Sequence, residues 1–270
     1  MTTVESPAGL AARPLRELYH HRYLFVLWIG RELRVRYSQS LLGVSWAILQ
    51  PLALALVFTV VFSRLLSVPT GAVPYPLFVY SALLPWTLFT NGLTSSTHSL
   101  HSNMNLVTKI FFPREILPLA SVGAAVVDFL AASLVLGILM AWYDVRPGVE
   151  LLWALPLLAV QLLLTAAVAL ASAATMVFFR DLRFVVPLAL QIWMYACPIV
   201  YPVDLVAERW RPLYFLNPMA GLIDGWRRVL VGGEPPRAGA LAVAAVVSVL
   251  ALLLAYVFFK RLESRFADVI

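Results

Sequence analysis

Arg31-Glu32-Leu33-Arg34-Val35-Arg36-Tyr37, followed after three residues by Leu41-Leu42-Gly43-Val44-Ser45-Trp46-Ala47-Ile48-Leu49-Gln50-Pro51, is the stretch that decides the class of this fold. The first segment is basic and surface-like. The second opens an apolar run, and no charged side chain occurs between Arg36 and Arg64. A helix needs about 20 apolar residues to cross the hydrocarbon core of a bilayer, so this run is long enough to span it. The chain starts beside a membrane and then enters it.

Composition extends this reading to the whole chain. Hydrophobic residues make up 61% of the 270 residues and charged residues 13%, where soluble domains carry about a quarter charged residues. A soluble domain of this size could not hide so much apolar surface. Further charge-poor runs predict about six membrane helices, near 41–63, 77–94, 115–142, 151–179, 184–203 and 238–259. The runs are too long and too evenly apolar for barrel strands, so the expected class is an all-α integral membrane protein. After the second run, Thr94-Ser95-Ser96-Thr97-His98-Ser99 reads as an exit from the bilayer.

Charge orients the chain. Thirteen of the twenty Lys and Arg residues fall in segments on the N-terminal side of the membrane, and positive charge is retained in the cytoplasm. Both termini are therefore expected to be cytoplasmic. Topology and anionic lipid account for the net charge of +6 without nucleic acid as a partner. Met1 to Leu10 lacks the basic start of a cleavable leader, so none is expected. The single cysteine, Cys197, can make neither an intrachain disulfide nor a metal cluster by itself.

Three segments are not simple spans. Pro14 to Ser40 has Leu15, Leu18, Tyr19, Tyr23, Val26, Ile29, Leu33 and Tyr37 on one helical face, with Arg16, His20, Arg31 and Arg34 largely opposite. It reads as a helix lying on the membrane, either an anchor or a surface that a partner pushes. Residues 98–112 predict a cytoplasmic loop with its own short helix, closed by Pro113, Arg114 and Glu115. Residues 203–231 are too long for a turn and too apolar for a solvated loop. They form either re-entrant pieces or an interfacial belt of Trp210, Tyr214 and Trp226. Asp128 interrupts the third span with no clear intramembrane cation to pair with, so it is expected to be protonated or hydrogen-bonded between helices.

Catalytic signatures are missing. The chain has no GxxxxGK[ST] phosphate loop, so it is not expected to hydrolyse ATP alone, and it has no HExxH or GxSxG motif. An enzyme acting on a lipid-linked sugar could still draw on Asp204, Glu208 or Asp224. Aromatic residues are frequent in and around the spans: Trp46, Phe58, Trp86, Phe89, Trp193, Tyr195 and Tyr201. Such rings suit a sugar pathway, since they stack on C–H faces while hydroxyls find donors.

Taken in order, Arg31 to Tyr37 with Leu42-Gly43, Trp46 and Gln50-Pro51, then Asn103 to Lys109 with Phe112-Pro113-Arg114-Glu115 and Leu117-Pro118, then Phe179-Arg180-Asp181, Pro198 to Tyr201 and Asn217-Pro218, resemble the permease subunit of type-2 ABC exporters. Those exporters carry lipid-linked polysaccharides such as O-antigen of lipopolysaccharide, capsule, teichoic acid or galactan. The resemblance implies a cytoplasmic segment 1–40 bearing a gate helix and a transmembrane domain over 41–270. It places Arg31, Arg34, Arg36 and Tyr37 at the lipid pyrophosphate. It assigns His98, His101, Asn103, Asn105, Lys109, Phe112 and Arg114 to a coupling helix seated in the ATPase, and the aromatic residues above to the channel. Asn217, Pro218 and Trp226 would belong to an extracytoplasmic gate. The expected assembly is a permease homodimer with two ATPase copies in the inner membrane, with ATP and Mg on the ATPase and no cofactor in this chain. The alternatives are a membrane glycosyltransferase or ligase using the same donor, and a type-2 exporter of drugs or lipids.

Overall fold

A computed structural model describes residues 22–266 apart from 39, 70, 72, 110 and 111. The first part of the expected interface helix, with Leu15, Arg16, Leu18, Tyr19 and His20, lies outside these residues, as does the Lys109 side chain. Among the described residues there is no strand. Helix α1 (Arg22–Tyr37) leads through a 3-10 turn, Gly43–Ser45, into α2 (Trp46–Phe58), which continues as a π-helical segment, Thr59–Leu65. Gly43 sits at φ +51°, which favours glycine, so this residue sets the angle at which the chain enters α2. Then follow α3 (Tyr75–Ser102), α4 (Met104–Lys109), α5 (Ile116–Trp142), α6 (Ala154–Phe178), α7 (Leu182–Tyr195), α8 (Arg211–Tyr214), α9 (Pro218–Arg227, extended by a π-helical segment, Arg228–Gly232) and α10 (Ala238–Glu263).

Among the described residues, four segments are long and apolar enough to cross a membrane: Gly43–Ser63, Ile116–Trp142, Val149–Phe178 and Ala238–Glu263. The other two of the six expected spans depart from a simple apolar rod. Helix α3 does not end at Thr94 but runs on to Ser102 through the Ser/Thr-rich stretch that reads as an exit. Its hydroxyls explain this. Thr97 and Ser99 donate to carbonyls of their own helix, Leu93 O at 2.8 Å and Ser96 O at 2.7 Å. Ser96 donates to Pro118 O on α5 at 2.8 Å, and the Thr97 hydroxyl oxygen lies 3.1 Å from that of Ser172 on α6. Each hydroxyl thus finds a partner without unwinding the backbone. The separate helix expected over 98–112 is accordingly shorter: His98 and His101 belong to α3, Asn103 breaks it, and only Met104–Lys109 forms α4.

The fifth run, expected over 184–203, is helical only to Tyr195. Fourteen residues of helix rise about 21 Å, short of a bilayer core. Cys197 to Tyr201 leaves the helix at Pro198, which lacks an N–H to continue it.

Helix α3 is the axis of the bundle, packed between α5 and α6, with α9 against its first half. Leu77, Val79, Tyr80, Leu83 and Phe89 on it are fully buried. Helix α6 also packs along α10 through Ala167, Ala173, Ala174 and Ala255, whose small side chains let the two backbones approach. Every residue of α9 is buried, and Gly221 makes that possible: a Cβ there would lie 3.0 Å from the Ala240 carbonyl oxygen. Gly221→Val is expected to wedge α9 off α10 and cost about 1–3 kcal/mol, read as a lower melting temperature in detergent.

Helix α1 lies along α5. Its protein-facing side carries Phe25, Trp28, Ile29, Glu32, Leu33, Arg36 and Tyr37, at the spacing of one helical face. Tyr23 and Val26, which share with Ile29, Leu33 and Tyr37 the apolar face expected to lie on the membrane, are 76% and 64% exposed and stay off the protein. The face is rotated because Ile29 enters a notch at Gly123, where a Cβ would come within 2.6 Å of its methyl carbon. That rotation turns Arg36 inward.

Candidate functional site

Helices α1, α2, α3 and α7 leave an open groove of about 650 Å³ between them. Trp46 and Gln50 reach it from α2, Trp86, Thr90 and Asn91 from α3, and Gln191 and Met194 from α7. At one end sits Asp128 of α5 with Arg36 and Tyr37 of α1. Gln50 and Gln191 are exposed although both stand among apolar neighbours on their helices. Amides facing hydrocarbon would lack hydrogen-bond partners. The groove side of the bundle therefore has the chemistry of a hydrated path, with aromatic faces beside donors and acceptors.

The charged end is closely knit. Arg36 Nη1 donates to Asp128 Oδ2, and Arg36 Nη2 donates to Ser95 Oγ at 2.8 Å. Tyr37 donates its hydroxyl to Asp128 Oδ1 at 2.7 Å. Burial and the bond to Asp128 push the Tyr37 phenol up to about 12, so it stays a donor at neutral pH. Glu32, one turn back, is 4.0 Å from Arg36 Nη2. Asp128 is thus hydrogen-bonded between helices, one of the two states expected from sequence, but it also has a cation as partner, which the sequence did not show. Its partner comes from a helix 92 positions earlier and outside the spans, where a search of membrane segments does not reach.

The other two arginines of the basic segment do not join this cluster. Arg31 places its guanidinium 4.5 Å above the Trp28 ring, and Arg34 Nε donates to Gly30 O within its own helix at 3.3 Å. Of the seven aromatic residues expected in the channel, Trp46 and Trp86 line the groove. Phe89 is fully buried, with its ring 5.2 Å from Trp193 and 5.9 Å from Trp86, so it supports the groove wall and cannot line an open path. Phe58 packs edge-on to Phe62 at 5.9 Å. Tyr195 is exposed, its carbonyl accepts from the Tyr201 hydroxyl at 3.2 Å, and the Tyr214 hydroxyl lies 3.1 Å from that of Tyr201.

Asn217 joins α7 to α9. Its Oδ1 caps α9 at Met219 N (3.2 Å) and accepts from Trp193 Nε1 (3.0 Å), while Nδ2 donates to Ala196 O at 3.3 Å. Pro218 takes the first position of α9, where its missing N–H costs nothing. Trp226 is buried in the protein and does not form an interfacial belt: its Nε1 donates to Gln161 Oε1 at 2.9 Å, and Gln161 in turn donates to Pro85 O. Sequence reasoning missed Gln161, Gln191, Thr90 and Asn91. A polar side chain inside an apolar helix was the available signal for each.

At the opposite end of the bundle from α9, the segment after α4 is tied to two helices. Phe112 stacks on Trp28 of α1 with centroids 6.3 Å apart. Arg114 Nη1 donates to Glu263 O at 2.6 Å, and Lys260 Nζ lies 2.9 Å from Glu115 Oε2. Asn103 donates to Ser99 O at 2.8 Å, closing α3, while Asn105 is exposed on α4. Among the described residues no group of three His, Cys, Asp or Glu side chains is placed to hold a metal.

These features define a polytopic helical membrane protein with a polar groove and a charged cluster at one end. The chain belongs to the ABC-2 type transporter family, which it matches over residues 23–231. It is 31% identical to the O-antigen export system permease protein RfbA of Myxococcus xanthus, over 95% of this chain and 98% of that protein. To an RfbA of Klebsiella pneumoniae it is 29% identical, over 95% of this chain and 99% of that one. Similarity extends to the polysialic acid transport protein KpsM of Escherichia coli, 21% identical over 86% and 91% of the two chains. The family expected from the ordered motifs is thereby established.

Proposed function

We propose that this chain is the membrane-spanning subunit of an ATP-driven exporter that moves a polyprenyl-pyrophosphate-linked polysaccharide outward across the cytoplasmic membrane. The observation that carries the reading is the groove: indoles of Trp46 and Trp86 stand beside the amides of Gln50, Asn91 and Gln191. Sugars need both kinds of surface, and hydrophobic drugs or lipids need only the first. The relatives named for O-antigen export and polysialic acid transport support the same substrate class; teichoic acid and galactan belong to that class too.

The chain carries no phosphate-binding loop, so hydrolysis falls to a separate ABC ATPase, expected in two copies with its ATP and Mg. Helix α4 and the segment to Glu115 form its docking surface, with His98, His101, Asn103 and Asn105 at the preceding end of α3. A push there reaches α1 through Phe112 and Trp28, and α10 through Arg114 and Lys260. A second copy of the chain closes the groove, since α2 and α7 leave Trp46, Leu49, Phe184, Leu188 and Ile192 uncovered on that side. Both termini face the cytoplasm, which puts α9 with Asn217, Pro218 and Trp226 at the outer end as a gate.

A glycosyl-transferring enzyme is less well supported. Asp204, Glu208 and Asp224, the acids such an enzyme would draw on, are each engaged by Arg211 or Arg237 at 3.4 to 3.7 Å. Depleting the chain in its native cell and measuring the length and sidedness of the lipid-linked glycan tests the proposal. Full-length polymer trapped on the cytoplasmic face is the expected result. Short or absent polymer with normal lipid flipping would overturn it.

A further inference from the structure

Helix α1 buries none of its residues completely. It is held by the Trp28–Phe112 stack, by Ile29 in the Gly123 notch, and at its C-terminal end by Arg36 and Tyr37 on Asp128. The last contact is the only charged one with α5 among the described residues. Asp128 is also unlike its surroundings: its side chain is 6% exposed on a helix with no other charged residue. Here the carboxylate presents two oxygens, one to a guanidinium and one to a phenol. A phosphate oxygen pair makes the same demand on the same donors. The Arg36 side chain remains 20% exposed and lines the groove, so a ligand in the groove can reach it.

We propose that Asp128 is a built-in stand-in for the phosphate of the transported lipid. In the resting chain it occupies Arg36 and Tyr37 and keeps the end of α1 closed on α5. A diphosphate ester entering the groove takes over both donors, and its negative charge repels the Asp128 carboxylate. The end of α1 then leaves α5 together with the bound phosphate. Occupation of the donors by Asp128 lowers apparent affinity, because only the fraction of molecules with free donors can bind. The inference rests on the reading of the substrate as a lipid diphosphate.

The test is equilibrium binding of radiolabelled undecaprenyl diphosphate to the intact transporter, this chain with its ATPase, in nanodiscs. Undecaprenol and inorganic pyrophosphate serve as competitors. Asp128→Asn keeps an acceptor for Tyr37 but removes the charge, and it is expected to tighten binding about fivefold or more. Glu32→Gln, one turn away, is expected to change it less than about twofold. Arg36→Gln is expected to abolish the preference for diphosphate over undecaprenol. Competition by free pyrophosphate would assign the contact to the phosphate alone, and competition by the lipid only would assign it to the membrane-borne ester; both support the exchange.

Unchanged or weaker binding by Asp128→Asn, with the wild type still preferring the diphosphate, overturns the stand-in role and leaves the substrate reading intact. A wild type that binds undecaprenol as well as the diphosphate overturns both. A second measurement leaves Asp128 in place. Spin labels introduced by Val35→Cys and Leu130→Cys, both exposed positions, should move apart on adding undecaprenyl diphosphate and not undecaprenol. A distance unchanged by the diphosphate counts against the exchange.

Discussion

Arg227→Ala is expected to melt in detergent at a much lower temperature than the wild type, and to expose the segment around Pro198 to protease first. Cys197 to Tyr201 is not helical, so its carbonyls need donors from elsewhere, and a bilayer offers none. Arg227 supplies them: Nη2 donates to Pro198 O at 2.5 Å and Ile199 O at 3.0 Å, and Nε donates to Phe78 O at 3.4 Å. The guanidinium also lies 3.6 Å from the centre of the Phe78 ring. Burial lowers its pKa to about 10, with Asp224 opposing the shift, so it remains a cation at neutral pH. Phe78 O keeps Ser81 Oγ as a donor, so two carbonyls are orphaned; each costs about 1–3 kcal/mol, which puts the whole loss on the order of 2–6 kcal/mol. Arg227→Lys keeps the charge, but one nitrogen cannot serve three carbonyls in different directions, so it should fall between the two. An alanine variant that melts with the wild type would show that these carbonyls find other donors.

Arg227 also shows why the segment between α7 and α10 was only half legible in the sequence. Asn217-Pro218 stood out as a motif in the sequence, and Asn217 caps α9. Nothing in the local pattern showed that Arg227 would turn inward onto backbone carbonyls almost thirty residues earlier, since an arginine near the end of a short helix reads as solvated. The long apolar runs read clearly because each carries its own signal. The end of α3 did not, because Thr94 to Ser102 holds its helix through hydroxyl bonds to α5 and α6, and those depend on packing. The groove stands between these cases. Trp46 and Trp86 were visible as groove residues, whereas Phe89, of the same chemical type, packs behind them. Asp128 was visible as an anomaly, but its partner depended on the rotation of α1 that Gly123 imposes.

Lys260→Met is expected to be the most damaging single change at the end of the bundle opposite α9, and Glu115→Gln is expected to reverse most of it. Glu115 opens α5 with its side chain 1% exposed, and its Oε2 has Lys260 Nζ at 2.9 Å. Its other oxygen has no hydrogen-bond partner among the described residues. Removing the lysine strands a carboxylate in the interior, a loss of about 3–5 kcal/mol. The converse change is milder. In Glu115→Gln the lysine is 29% exposed and keeps Glu263 at 2.9 Å, so a loss of about 1 kcal/mol is expected. The double variant has neither a stranded charge nor the bridge and should melt within about 1–2 kcal/mol of the wild type. Melting temperatures of the four proteins give the coupling directly, and a double variant as unstable as Lys260→Met would refute the argument. The same four proteins, assembled with the ATPase, separate stability from transmission. The bridge ties the segment after α4 to α10, so the folded double variant should hydrolyse ATP normally while exporting less glycan for each ATP consumed.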